Sequence, residues 1–261
     1  MNEKVDMSEN MKKGIYILPN LFTTGSLFAG FYSMVSTMNG DYRVAAVWIL
    51  AASIFDGLDG KVARATGTTS KFGVEYDSLA DLVAFGVAPG LLMYSWALRP
   101  FGRLGWLAAF LFVVCGALRL ARFNVQVATV ESKRFVGLPI PAAASIVCAT
   151  VLLFYNFGWP SSYKKLAILV LIYCLAFLMV SGFRYYSFKD PELIKRQPFA
   201  SLVLIILLLV VIAAEPVVML FTLFIIYMFS GPVSFFLSYP RRRRLEKALQ
   251  KGAAKPHQEL K

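Results

Sequence analysis

Residues 56–81 read DGLDGKVARATGTTSKFGVEYDSLAD and place four aspartates within or against apolar stretches. The four are Asp56, Asp59, Asp77 and Asp81. An ionised carboxylate in the hydrocarbon of a membrane costs on the order of several kcal/mol unless it is paired or binds a cation. The sequence therefore predicts that these side chains form one polar site.

The rest of the chain has the composition of a membrane protein. Of its 261 residues, 58% are hydrophobic and 16% are charged, and the mean hydropathy is +0.63. A soluble domain of this size could not bury so much apolar surface. Apolar runs near the ~20 residues that cross a bilayer as a helix recur along the chain. We expect eight spans, at about 15–38, 43–62, 77–98, 104–124, 138–158, 165–186, 199–214 and 216–238.

Positive charge sets the expected orientation. With a cytoplasmic N-terminus, all but five of the 27 lysines and arginines lie on or near the cytoplasmic face. The five are Arg43, Arg99, Arg103, Lys164 and Lys165. We therefore expect a protein of the bacterial-type inner (cell) membrane with both termini in the cytoplasm. The net charge of +12 needs no nucleic-acid partner, since Arg241 to Arg244 suit a topology anchor or anionic membrane lipids.

The available side chains restrict the chemistry. The only histidine, His257, lies in the polar C-terminal segment, which excludes His-based triads and HExxH zinc sites. The three cysteines lie isolated in apolar stretches, without the spacing of metal ligands. Any reaction must therefore use carboxylates, hydroxyls and cationic side chains.

The four aspartates are spaced to converge. Asp56 and Asp59 share one helical face near the cytoplasmic end of the second span, and Asp77 and Asp81 share one at the start of the third. The short polar connection between them predicts antiparallel neighbouring helices. Converging carboxylates repel each other unless cations neutralise them. An all-oxygen site favours Mg²⁺ or Mn²⁺, and four carboxylates can bridge two such ions in a site suited to displacement at phosphorus.

Small residues beside the aspartates indicate room for a ligand. Gly60 and Ala63 allow close approach, Arg64 can reach a phosphate in the interface, and Gly73 precedes Asp77 by one turn. The alternative is that the small residues serve helix packing and that Arg64 extends to the membrane surface.

The spacing from Asp56 to Asp81, D-x2-D-G-x2-A-R-x8-G-x3-D-x3-D, resembles the CDP-alcohol phosphatidyltransferases, membrane enzymes that build phospholipid headgroups. The resemblance implies an all-α integral membrane protein with a six-helix catalytic core over residues 15–186. A cytoplasmic segment, 1–14, would precede this core. Two additional transmembrane helices, 187–240, and a basic cytoplasmic tail, 241–261, would follow it. The resemblance also suggests a homodimer, and the active site is expected at the cytoplasmic face.

The resemblance implies roles for the matched residues. Asp56, Asp59 and Asp77 would bind the metal, and Asp81 would both contact it and deprotonate the acceptor hydroxyl. The residues expected to contact the CDP part of the donor are Asn20, Thr23, Gly60, Arg64, Ser70 and Gly73. Asn20 and Thr23 belong to a Pro-Asn-x-x-Thr element that family members share. Its Pro-Asn pair is equally typical of a turn and cap at the start of a helix.

Two further stretches resemble the serine branch of the family: CGALRLARFN at 115–124 and FVGLPIPAAA at 135–144. That branch would transfer the phosphatidyl group of CDP-diacylglycerol to the hydroxyl of L-serine by direct displacement, with release of CMP. The serine carboxylate needs a cationic partner, for which Arg119, Arg122 and Arg184 are the candidates. Each of these arginines also suits a positive-inside anchor.

Two alternatives remain open. Within the family, the acceptor could instead be glycerol 3-phosphate or inositol phosphate. Their phosphate groups would require a similar basic pocket, so the arginines alone do not identify the acceptor. From another class, a divalent-cation transporter would use the aspartates as its pathway. A transporter predicts acidic residues on several non-adjacent helices, whereas the acidic residues within the predicted spans of this chain are concentrated in one helical pair.

Overall fold

The computed structural model describes residues 2–68, 70–127, 134–158, 161–186 and 214–253. Side chains are described within 18–237, and that of Arg184 is not among them. The predicted span at 199–214 lies outside the described residues except for Ala214.

Helices form most of the described chain. They are α1 (Asn2–Met38), α2 (Tyr42–Thr66), α3 (Lys71–Asp81), α4 (Ala88–Met93), α5 (Arg103–Val127), α6 (Ile140–Phe157), α7 (Ser161–Val180) and α8 (Pro216–Ala253). Wider π-helical turns at Leu82–Val87 and Tyr94–Leu98 flank α4, so that Lys71–Phe101 is one continuous helical segment. The first of these turns ends at Val87, two residues before Pro89, which has no N–H to continue the regular hydrogen-bond pattern.

Four of the described helical segments are long and apolar enough to cross a membrane: Lys71–Phe101, Arg103–Val125, Ile140–Phe157 and Pro216–Phe235. Their outward surfaces and those of neighbouring helices carry large apolar side chains, as lipid-facing helices do. Examples are Phe31, Ile54, Phe110 and Phe229. The prediction of an all-α integral membrane protein is confirmed.

Several predicted boundaries differ from the observed ones. Helix α1 already begins at Asn2 rather than at 15, and α8 continues to Ala253 rather than ending at 238. The third helical segment begins at Lys71 rather than at 77, because the Ser70 hydroxyl accepts a hydrogen bond from the Gly73 N–H at 3.0 Å and caps the helix. The sixth span was predicted to reach 186, but α7 ends at Val180. Beyond it Arg184–Tyr186 (β2) pairs antiparallel with Arg134–Val136 (β1). These short strands were not predicted, since their pairing joins segments distant in the sequence.

Helix α1 packs along α2 and against α3, so three helices surround the aspartates. Small residues allow this close packing. At Gly30 of α1, a Cβ atom would lie 2.6 Å from the Cα of Ala84, so only glycine permits the two backbones to approach. On α2, Ala45, Ala46 and Ala52 are fully buried. The helix carrying Asp56 and Asp59 is therefore held at a fixed distance from its neighbours.

Candidate active site at the aspartate cluster

Helices α2 and α3 bring three aspartates together. Asp56, Asp59 and Asp77 each offer a carboxylate oxygen, and these atoms all lie within 4.8 Å of one another. Asp59 is buried, with 6% of its surface exposed. Carboxylates at this separation repel each other unless a cation or protons neutralise them. The all-oxygen donor set fits a hard divalent cation such as Mg²⁺ or Mn²⁺.

Thr23 of α1 orients one of these aspartates. Its hydroxyl donates a hydrogen bond to Oδ2 of Asp59 at 2.9 Å, and the Pro19 carbonyl oxygen lies 3.2 Å from the same hydroxyl. Thr23 is 3% exposed, so water does not compete strongly for this bond. Pro19 lies inside α1, because the apolar residues before it are already helical. The interpretation of Pro19-Asn20 as a turn and cap at a helix start is therefore wrong.

A cavity of about 190 Å³ opens beside the aspartates, with Asp59 and Asp77 in its wall. The six residues predicted to contact CDP all line it: Asn20, Thr23, Gly60, Arg64, Ser70 and Gly73. Pro19, Ala63, Thr68 and Val74 complete the lining. Thr68 and Val74 fall at variable positions of the aspartate pattern, so the sequence alone does not identify them as lining residues.

Two glycines in the cavity wall sit against polar groups. A Cβ atom at Gly73 would lie 3.2 Å from the Ser70 hydroxyl and 3.5 Å from the side-chain oxygen of Asn20. At Gly60 it would lie 3.3 Å from a terminal nitrogen of Arg64. The glycines thus leave the hydroxyl, amide and guanidinium accessible to a ligand. Such groups suit a nucleotide diphosphate.

Asp81 lies next to the cluster but is not one of the three carboxylates within 4.8 Å. It is 9% exposed, and its carboxyl group is within hydrogen-bonding range of Asp56. Asp77 and Arg119 also act on it electrostatically. Asp81 therefore links the cluster to the first of the predicted arginines.

The structure gives different surroundings to Arg119 and Arg122, two of the three predicted acceptor arginines. Arg119 of α5 is 7% exposed, and its Nε has no hydrogen-bond partner among the residues that the structure describes. Its guanidinium lies 5.7 Å from the ring centre of Phe123 and within electrostatic range of Asp81 and Asp56. A buried cation beside carboxylates is suited to hold an anionic group.

Arg122, one turn later, is engaged with the backbone. Its guanidinium donates to the carbonyl oxygens of Val136, Met179, Val180 and Ser181 at 3.1–3.5 Å. These bonds fasten α5 to the end of α7 and to β1. The side chain of Arg184, in β2, lies outside the described residues.

A hydrogen-bonded pair that the sequence analysis did not single out joins α5 to α3. The side-chain amide of Asn124 donates to the Ser78 hydroxyl at 2.9 Å. Ser78 follows Asp77 directly, so this contact fixes the helix between Asp77 and Asp81 relative to α5. The sequence offered one signal, since Asn124 ends the CGALRLARFN stretch.

Comparison with known proteins gives a consistent result. The sequence model of the CDP-alcohol phosphatidyltransferase family matches residues 16–180. The chain is 46% identical over 175 residues to the CDP-diacylglycerol–serine O-phosphatidyltransferase of Helicobacter pylori, covering 67% of this chain and 74% of that protein. It is 38% identical over 181 residues to the archaetidylserine synthase of Methanothermobacter thermautotrophicus (69% and 73% covered). The identity to the CDP-diacylglycerol–serine O-phosphatidyltransferase of Bacillus subtilis is 34% over 172 residues (66% and 91% covered).

The matched region runs from within α1 to the end of α7, and it includes the aspartates, the cavity and the buried Arg119. An acidic cluster that could hold a metal and an adjoining cavity are the features that such an enzyme requires. On sequence and on site geometry, the chain belongs to the CDP-alcohol phosphatidyltransferase family.

Proposed function

We propose that the protein transfers the phosphatidyl group of CDP-diacylglycerol to the hydroxyl of L-serine, forming phosphatidylserine and releasing CMP. One observation carries the proposal: the aspartates adjoin a cavity lined by every predicted CDP contact, with buried Arg119 beside Asp81. The names of the relatives support it, since both transferases act on serine and the archaeal protein is an archaetidylserine synthase. Membership of the family favours a transferase over the cation transporter.

The donor is proposed to enter the cavity with its CDP group. Arg64 and the Ser70 hydroxyl, which line the cavity together with Asn20, would contact the diphosphate. Asp56, Asp59 and Asp77 would hold the divalent cation. When bound, Mg²⁺ or Mn²⁺ supplies charge neutralisation for the diphosphate and for the departing CMP, and the four aspartates offer enough oxygens for two ions.

Asp81 is proposed to act as the general base. A primary alcohol is a poor nucleophile at neutral pH, so a carboxylate must take its proton as it attacks. The serine oxygen forms a bond to the phosphorus of the phosphatidyl group, and the bond from that phosphorus to CMP breaks. The electron pair leaves on the CMP phosphate oxygen, and the proton passes to Asp81. This direct displacement requires no covalent enzyme intermediate.

Arg119 is proposed to bind the serine carboxylate. Its planar guanidinium can donate two parallel hydrogen bonds to a carboxylate, and it lies on the Asp81 side of the cluster. Arg122 is less suited to this role, because a substrate would have to compete with its backbone carbonyls. Glycerol 3-phosphate and inositol phosphate remain the alternative acceptors, since a phosphate would also pair with Arg119.

We further infer a location in the bacterial-type inner membrane, with the aspartates at the cytoplasmic face and both termini in the cytoplasm. The distribution of lysine and arginine supports this orientation. The acyl chains of the donor would then enter sideways from the lipid.

A panel of acceptor alcohols tests the proposal. Purified protein is incubated with CDP-diacylglycerol and Mg²⁺ or Mn²⁺, and CMP release and the lipid product are measured for serine, glycerol 3-phosphate and inositol 1-phosphate. We expect only serine to support CMP release at concentrations where serine saturates. Better use of either phosphate would reject serine as the acceptor and leave the family assignment intact.

A further inference from the structure

The guanidinium of Arg119 lies over the ring of Phe123, with its central carbon 5.7 Å from the ring centre. Both residues belong to α5 and are one helical turn apart, so their side chains are neighbours on one face of the helix. A helical side chain also leans back over the preceding turn, which brings the Phe123 ring to the level of Arg119. The contact therefore follows from the local geometry of α5.

Comparison with Arg122 shows what is distinctive about this contact. Arg122 is held by backbone carbonyl oxygens, which use its N–H donors. The face of an aromatic ring instead attracts a positive charge through its quadrupole and need not use a donor. In agreement, Nε of Arg119 donates to no group among the residues that the structure describes. Arg119 is thus held beside the aspartates with a donor available for a ligand.

We propose that Phe123 is a positioning residue for the acceptor site, holding the Arg119 guanidinium where it can receive the serine carboxylate. Arg119 is 7% exposed, and a cation–π contact is strongest where water is largely excluded. Without the ring, the carboxylates of Asp81 and Asp56 would attract the guanidinium. Only the fraction of molecules with a correctly oriented arginine would then bind serine, so the apparent affinity would fall. The inference rests on the proposed function.

Replacing the ring with an apolar side chain tests this role. Phe123 is 37% exposed, so its substitution leaves no large internal cavity. Phe123→Leu and Phe123→Met should raise the KM for serine by about three- to thirtyfold, the range expected for a cation–π contact. The kcat and the KM for CDP-diacylglycerol should stay within about twofold of wild type, because the lost interaction serves acceptor binding alone.

Two kinds of control separate the aromatic face from packing. Phe123→Tyr and Phe123→Trp keep a ring beneath the guanidinium, so the KM for serine should stay near that of the wild type. Phe110→Leu makes the same change elsewhere on α5, at a ring that is 58% exposed and more than two turns before Arg119. It should leave the KM for serine unchanged.

Three results would overturn the inference. The first is an unchanged KM for serine in both Phe123→Leu and Phe123→Met. The second is an equal rise in Phe123→Tyr, which would assign the effect to packing. The third is a parallel rise in the KM for CDP-diacylglycerol, which would indicate a general distortion of the site.

The wild-type acceptor panel tests the proposed function separately. If an acceptor that carries a phosphate were used instead of serine, the same comparison with the KM for that acceptor would decide the role of Phe123.

Discussion

The Thr23 hydroxyl donates to Oδ2 of Asp59 at 2.9 Å, so a side chain of α1 orients a carboxylate of α2. Partners of this kind fix the rotamer of a metal ligand, and their loss typically costs about 10–100-fold in metal affinity or activity. Thr23→Val keeps the shape and removes the hydroxyl. We expect it to raise the Mg²⁺ or Mn²⁺ concentration for half-maximal activity by that factor, while Thr23→Ser stays near wild type.

The adjacent threonine is the control for this comparison. The hydroxyl of Thr24 bonds to the Asn20 carbonyl and the Tyr76 hydroxyl, not to an aspartate. Thr24→Val should leave the metal dependence unchanged. An equal metal dependence in Thr23→Val and wild type would show that Asp59 needs no such support.

Substitution of Asp81 should separate chemistry from binding. Asp81→Asn preserves the shape of the side chain but cannot accept a proton, so turnover should fall about 10²–10⁴-fold while CDP-diacylglycerol still binds. Asp56→Asn and Asp59→Asn should weaken metal and donor binding together. Single-turnover CMP release and equilibrium donor binding distinguish these cases. Retention of more than about a tenth of the wild-type rate in Asp81→Asn would contradict its role as the base.

Removal of divalent cations should abolish activity, because Asp56, Asp59 and Asp77 otherwise repel one another. Exhaustive treatment with EDTA, followed by dialysis and an assay of CMP release, provides the measurement. Mg²⁺ or Mn²⁺ should restore the rate, and Zn²⁺ should restore it poorly because the cluster offers neither nitrogen nor sulfur ligands. Full activity after chelation would reject metal assistance.

Arg119 and Arg122 should respond differently to the same change. Arg119→Lys keeps the positive charge but loses the planar guanidinium that can donate two parallel hydrogen bonds to a carboxylate. The KM for serine should therefore rise by about tenfold or more, while the KM for CDP-diacylglycerol changes little. Arg122→Lys breaks bonds to four carbonyl oxygens. It should instead lower the midpoint of thermal unfolding.

Ethanolamine provides a further check on Arg119, because it keeps the hydroxyl and amine of serine and lacks the carboxylate. It should be a poor acceptor for the wild type. If the KM for serine rose in Arg122→Lys and not in Arg119→Lys, Arg122 rather than Arg119 would be assigned to bind the serine carboxylate.

The orientation of the active site can be measured directly. Thr68 lines the cavity near the connection between α2 and α3. In a Thr68→Cys variant, a membrane-impermeant thiol reagent should label the protein from the cytoplasmic side of oriented vesicles. The native cysteines Cys115 and Cys148 are buried, and the unsubstituted chain measures any background from Cys174. Labelling from the opposite side alone would invert the proposed topology.

The aspartate cluster could be predicted because helical periodicity fixes which residues share a face. Asp56 and Asp59, and likewise Asp77 and Asp81, lie one turn apart, and the short connection limits how far the two pairs can separate. The residues predicted to contact CDP came from the family pattern, and all six line one cavity. The roles of these residues in binding and catalysis stay predictions.

The different environments of Arg119 and Arg122 could not be predicted from the sequence. Both arginines occupy similar positions on one helix, and the distinction depends on backbone carbonyls of α7 and β1 that are remote in the chain. The strand pair was missed for the same reason. The attachment of α8 to the core depends on how Tyr185 packs against Gly231, which no local pattern specifies.

The lining of the cavity comes from residues 19–77, whereas Arg119 comes from later in the chain. The residues proposed for nucleotide binding and for acceptor choice thus lie in separate, consecutive stretches of sequence. With the proposed roles, a change in the second stretch would alter the headgroup that is attached while the first would continue to bind the same activated lipid. A chimaera could join residues 1–102 of this chain, up to the turn at Gly102 before α5, to the C-terminal part of a relative with another acceptor. It would keep the cavity of this chain, and its acceptor preference would be that of the relative.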